Sequence, residues 1–147
     1  MIRIFILLML AIPYVRADTS EDLAIAAMDN ISGEYALCAA YFAIVSQAVA
    51  TNTKGTETSE QYKSMYTTAM QASIAAAKAT RNDDMALKVT LSRYYVYLAG
   101  MKDEIENNYS NISILLNKHS YTCKDAIEKP DKFINTINEK TNRNHTK

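Results

Sequence analysis

The run Tyr35-Ala-Leu-Cys-Ala-Ala-Tyr-Phe-Ala-Ile-Val45 constrains this chain more than any other feature. At 3.6 residues per turn it presents apolar side chains in every direction. A helix apolar on all sides is stable in water only when other elements cover all sides. Ala27, Ile31, Cys38, Phe42, Val45 and Val49 recur at helical spacing through and beyond it. Thr19, with Asp18, Glu21 and Asp22 at the positive end, opens the segment. A central helix ending near Thr51 follows, and the rest of the chain must surround it.

The remaining segments are also helical. From about Ser59 to Arg81, Ala69, Ala72, Ser73, Ala76, Ala79 and Thr80 form a row of small side chains that lets two helix axes approach closely. Asn82-Asp83-Asp84 makes a turn, with Asp83 or Asp84 as the next cap. Leu87, Leu91, Tyr94, Leu98, Met101 and Ile105 then alternate spacings of four and three, a seam that extends to Ile112 and Leu115 across a weak slot at Asn108. Gly100 is a candidate bend. Thr122 reads as a cap with Asp125 three residues on, and Lys129-Pro130 ends that helix. Pro130 begins a last helix carrying Phe133, Ile134 and Ile137. The expected fold is all-α: a small antiparallel bundle of about four helices over residues 18–140, with 141–147 a frayed polar tail.

Residues 1–17 read as a secretory signal peptide: Arg3, the apolar run Ile4 to Ile12, Pro13, then Val15-Arg16-Ala17 before a cut. The run is too short to span a bilayer, which needs about 20 residues. No other stretch looks long and apolar enough to span, so the mature chain is expected without a transmembrane segment. The expected location is secreted or periplasmic. Cys38 and Cys123, the two cysteines, are then candidates for a disulfide. In a plain four-helix arrangement a fourth helix starting at Cys123 would begin near Val49, about 16 Å along the axis from Cys38. A bridge therefore demands either a bend in the third helix or a dip of residues 118–122 along the bundle.

Composition narrows function. The chain has 147 residues with 16 basic against 16 acidic, which excludes a strongly basic nucleic-acid binder. Without the leader the basic residues fall to 14, a net charge of −2. The acids crowd into residues 18–60 and the bases into 118–147, so these two ends should attract. Three glycines leave little material for a phosphate-cradling loop. With His119 and His145 as the only imidazoles, neither metal nor other cofactor is expected. His119 beside Cys123 is a weak nucleophile–base arrangement.

Glu34, one turn before Cys38, is expected to pair with Arg93 on the third helix, as a cross-link or a polar binding group. Tyr94, Tyr95 and Tyr97 cannot all point inward on one helix, so at least one should offer partner-binding surface. Asn30, Asn108, Asn111 and Asn144 each begin an Asn-x-Ser/Thr glycosylation pattern. The leading expectation is a small exported protein-binding module of inhibitor, immunity or adaptor type, without catalysis, with a protein partner or a second copy as its target. The alternatives are a carrier of an apolar small molecule, drawing on Met28, Met65, Met70, Met85 and Met101 to line a cavity, and an enzyme using Glu34 and Arg93. Intact-mass measurement of the exported protein should show Asp18 as its first residue; a form retaining Arg3 would remove the leader.

Overall fold

The apolar run demands cover on every side, and four further helices supply it. The computed structural model describes residues 19–53 and 56–145; the expected signal peptide lies outside them. The elements are α1 (Thr19–Thr53), α2 (Thr56–Lys78), α3 (Asp83–Glu104), a 3-10 turn (Tyr109–Asn111), α4 (Ser113–Glu128) and α5 (Pro130–His145). Among the described residues there is no strand. Over the described residues the fold is all-helical as expected, with five α-helices instead of about four.

Interhelix contacts set the directions. Ser46 Oγ donates to the Ser59 carbonyl (3.0 Å) and Ser59 Oγ returns a bond to the Ser46 carbonyl (3.1 Å). Further along, Ser73 Oγ donates to the Ser32 carbonyl (2.8 Å) and lies 3.2 Å from Thr90 Oγ1. α2 is thus antiparallel to α1, and α3 returns parallel to it. These hydroxyls sit among fully buried alanines, including Ala36 and Ala69, and each finds a carbonyl or hydroxyl partner that offsets its desolvation.

On the third side, Cys123 meets Cys38, the Tyr35 hydroxyl donates to the Ala126 carbonyl (3.3 Å), and Phe133 packs edge-on against Tyr35 (4.9 Å). Asn30 then donates to Thr141 (2.9 Å). As the chain advances from 123 to 141, its partner on α1 falls from 38 to 30. α4 and α5 therefore lie in succession along α1, both antiparallel to it. The break falls at Pro130, which cannot donate a backbone hydrogen bond and holds Lys129 out of helical geometry (φ −140°, ψ 59°). With α2, α3 and α4–α5 around it, α1 buries Tyr35, Ala36, Cys38, Tyr41, Phe42, Ile44 and Val45, which between them face every direction.

Several boundaries differ from expectation. α2 begins at Thr56, ahead of Ser59, because Ser59 is needed inside the helix as the partner of Ser46. Asn82, rather than Asp83 or Asp84, caps α3: its extended backbone lets the side chain accept from the Met85 amide (2.9 Å). α3 passes through Gly100 unbroken and stops at Glu104. The chain reverses through Glu106 and Asn107, both at positive φ (55° and 53°), so the seam is interrupted and Leu115 re-enters the core from α4. Leu87 is exposed rather than on the seam. Thr122 lies inside α4, not at a cap. α5 continues through His145 rather than fraying at 141, because Thr141 is buried and bonded to both Asn30 and the Ile137 carbonyl.

The early start of α4 also resolves the disulfide geometry. Ser113 begins the helix near the end of α1, where Asn52 donates to the Tyr109 carbonyl (3.2 Å). Descending to Cys123 covers about 15 Å at 1.5 Å per residue, which matches the required drop to Cys38 without a bend in α3. The bridge forms with Cα atoms 5.2 Å apart.

Contrary to expectation, a segment beyond the leader does meet the length and composition of a membrane span: Ser20–Asn52 of α1, with 61% of its most apolar window buried against the other helices, as in a core helix.

The bridge closes a separation of 85 residues, which the chain-entropy account values at about 4–5 kcal/mol. Denaturant titration of Cys38→Ser/Cys123→Ser should show a loss of that order, and an unchanged midpoint would assign the stability to packing alone.

Candidate functional site

Asp29 is an acid on a helix that becomes wholly apolar two turns later, and it is neutralised twice. Arg93 of α3 donates from Nη2 to Asp29 Oδ2 (2.6 Å) and from Nη1 to the Asp29 carbonyl (3.1 Å). Arg81, from the turn between α2 and α3, holds Asp29 Oδ1 and also donates to Thr80 Oγ1. Burial alone would raise the Asp29 pKa, but the hydrogen bonds and charges of the two guanidinium groups outweigh it and hold the carboxyl below its ordinary value. The expected Glu34–Arg93 pair does not form, because the register of α3 on α1 sets Arg93 beside Asp29. One acid tying two basic groups cross-links three parts of the chain.

Beyond this network α3 and α5 part, leaving a cleft of about 280 Å³ floored by α1. Asp29, Gly33 and Glu34 of α1 line it, with Arg93 and Tyr97 of α3 and Lys140 of α5. The sequence candidates Glu34, Arg93 and Tyr97 thus share one site, although Glu34 has no ion-pair or hydrogen-bond partner among the described residues. Gly33 sits in a helix interior, where glycine costs about 1 kcal/mol relative to alanine. A Cβ there would meet only the Tyr97 hydroxyl, at an ordinary 3.8 Å.

The other tyrosines separate as helical geometry requires. Tyr94 is half-buried against Tyr66 (5.7 Å) and Tyr95 (5.1 Å), and burial, aided by the neighbouring tyrosines, pushes its hydroxyl up to about 12. Tyr95 points outward at 61% exposure beside Val96 at 66%. Sequence reasoning missed Asp29 and Lys140. Asp29 was detectable as an acid between Ala27 and Ile31, whereas Lys140 lies in a polar stretch at the end of the last helix, where no local pattern singles it out.

Between α2 and α4 lie two adjoining grooves that share Thr58 and Tyr62. One, about 190 Å³, is lined by Val45, Val49, Ile112 and Leu116; the other, about 210 Å³, lies against Tyr41, Phe42 and Met65. Tyr41 is pushed up to about 12 by burial and by Tyr62. The His119 ring lies tilted by 53° against Tyr41, centroids 6.1 Å apart, and its buried Nε2 has no hydrogen-bond partner among the described residues. Burial and the adjacent Lys118 lower its pKa, against a weaker opposing effect of Glu104. Cys123 is consumed by the disulfide, so no thiol faces this imidazole. No group of three His, Cys, Asp or Glu fit to hold a metal occurs among the described residues.

The expected attraction between the acidic first segment and the basic C-terminal segment takes another form. The two do meet, but through the disulfide, apolar packing and the Asn30–Thr141 bond. Lys129 and Lys132 pair instead with Asp125 on α4 (3.4 and 2.7 Å).

Asp29→Ala leaves two partly buried guanidinium groups unmatched and should cost about 1–2 kcal/mol, less than the 3–5 of a fully buried pair. The pH dependence separates two groups. His119 has a folded pKa below 6.5, so its contribution is present above pH 6.5 and is lost as pH falls through the folded value. Asp29, depressed below 3.8, contributes above that pH and loses its effect only below it. Thermal melts of His119→Gln should lack the first decline and keep the second. Comparison with protein-family models, with curated proteins and with solved structures finds no match to this chain, so its function has to be argued from these side chains alone.

Proposed function

We propose that this protein is an exported, non-catalytic binding module of inhibitor, immunity or adaptor type, which docks a protein partner on the solvent face of α3. The observation that carries the reading is the adjacent pair Tyr95 and Val96, at 61% and 66% exposure. From Val89 to Gly100 the only charged side chain is Arg93, and that charge is engaged with Asp29. Over that stretch the face bears exposed large side chains and no unpaired charge, with the exposed Asp84–Lys88 pair at its N-terminal rim; it fits a partner's apolar surface, where each Å² removed from water contributes about 25 cal/mol. Met85, also exposed, lies on the same side of α3 as Val96. The disulfide and a leader expected to direct export support an extracytoplasmic setting. Nothing in the charge balance favours nucleic acid.

A second reading, a carrier of an apolar small molecule, draws on the adjoining grooves at Tyr62. At about 190 and 210 Å³ each is smaller than the several hundred Å³ expected of an apolar carrier's cavity, which favours the protein-binding reading.

The mature protein and a Tyr95→Asp/Val96→Asp variant should unfold at similar denaturant concentrations, since both side chains are exposed. Crosslinking in the native compartment should join the wild type, and a control with Gln71→Glu on α2, to a defined protein. The α3 variant should lose at least about tenfold of that product, equivalent to 1.4 kcal/mol. A dimer by light scattering that the variant abolishes would identify a second copy as the partner. Equal crosslinking by all three proteins would overturn the proposal.

A further inference from the structure

The cleft between α1, α3 and α5 carries an inference separate from the α3 docking face. Four charged side chains line it: Asp29, Glu34, Arg93 and Lys140. Asp29 and Arg93 satisfy one another at 2.6 Å. Glu34 and Lys140 remain, opposite in sign, and neither has an ion-pair partner among the described residues. The cleft therefore offers one anion and one cation across a space of about 280 Å³ that nothing in the protein bridges.

The floor adds a second, independent observation. Gly33 is buried within the unbroken α1, and only the Tyr97 hydroxyl, at 3.8 Å, lies near the place of a side chain there, which sets that hydroxyl at the cleft floor. Asn144 lines the cleft and, like Tyr97, has its side-chain hydrogen-bonding capacity unspent among the described residues. The volume lies below the usual range of about 300–1,000 Å³ for ligand pockets, which limits the occupant to a few heavy atoms beyond its charged groups.

We infer that this cleft binds a small zwitterion, a free α-amino acid, with its ammonium group on Glu34 and its carboxylate on Lys140. A ligand with a single charge would leave either Glu34 or Lys140 without a direct partner, because Arg81 and Arg93 are both committed to Asp29. Tyr97 and Asn144 can each donate to the carboxylate as well.

The test is thermal denaturation of the mature protein with each proteinogenic amino acid at roughly 10 mM, since a ligand that binds only the folded state raises the melting temperature. At least one amino acid should do so. Its carboxamide, lacking the carboxylate, and its deaminated acid, lacking the ammonium, should each bind at least about tenfold more weakly by calorimetry, a difference of 1.4 kcal/mol. Glu34→Gln and Lys140→Met lie at the cleft surface and should keep the unliganded melting temperature while losing the response. The inference fails if no amino acid stabilises the protein, if either single-charge analogue binds as well as the zwitterion, or if both variants respond as the wild type does. Partner crosslinking is read separately and does not enter this result.

Discussion

The constraint on which the structure depends is that one helix has no face for water. Tyr41 and Phe42 on α1 are each 2% exposed, and Cys38 and Ile44 are fully buried. Cover on all sides requires at least three neighbours, and the chain provides α2, α3 and the succession α4–α5. Each layer solves a different packing problem. α2 uses small residues to come close, and the Ser46–Ser59 and Ser32–Ser73–Thr90 contacts satisfy the polar groups that this closeness buries. α4 uses a covalent bond. α5 uses Phe133 and Ile137, with Thr141 as a polar tie.

Both candidate sites arise where this cover is incomplete. Three columns around a straight helix cannot touch along their whole length when one of them is broken at a proline. The gap between α3 and α5 lies over the polar N-terminal half of α1, and the grooves between α2 and α4 lie over its buried apolar half. The first gap is consequently lined by charges and the second by Val45, Val49, Ile112 and Leu116. The doubly paired Asp29 fixes α3 beside the polar gap, so the same ion network that joins the helices also positions Tyr97 and holds the cleft open. The outward-facing Tyr95 and Val96 lie one residue from Tyr94, whose ring is packed against Tyr66 on α2 and thereby sets the rotation of the helix.

Much of the fold was legible because it follows from short-range periodicity. The all-round apolar run, the small-residue row of α2 and the Pro130 start of α5 each rest on side-chain chemistry that does not depend on distant neighbours, whereas the Cys38–Cys123 bridge also needed α4 to start at Ser113. Errors gathered where two local signals compete. Thr122 has the residue type of a cap, but the chain had already entered α4 at Ser113, and the heptad seam continued on paper across Glu106 and Asn107, whose backbone reverses the chain. Thr141 reads as the start of a tail because polar composition is the only local signal, whereas a single buried hydrogen bond is enough to carry the helix past it.

By itself the sequence determined that this chain is all-helical, that residues 35–45 form its centre, and that a cysteine pair is available to lock it. Those properties depend on which side chains recur at helical spacing, and burial follows from them by the cost of leaving apolar surface in water. Only the tertiary structure decided which charges meet. Arg93 could reach several acids by sequence, and the register of α3 on α1, set by hydroxyl and alanine packing, gave it Asp29 and left Glu34 facing Lys140 across a cleft. Ion pairs act over a few ångströms and between any opposite charges, so their partners are chosen by the packing that precedes them rather than by their place in the chain.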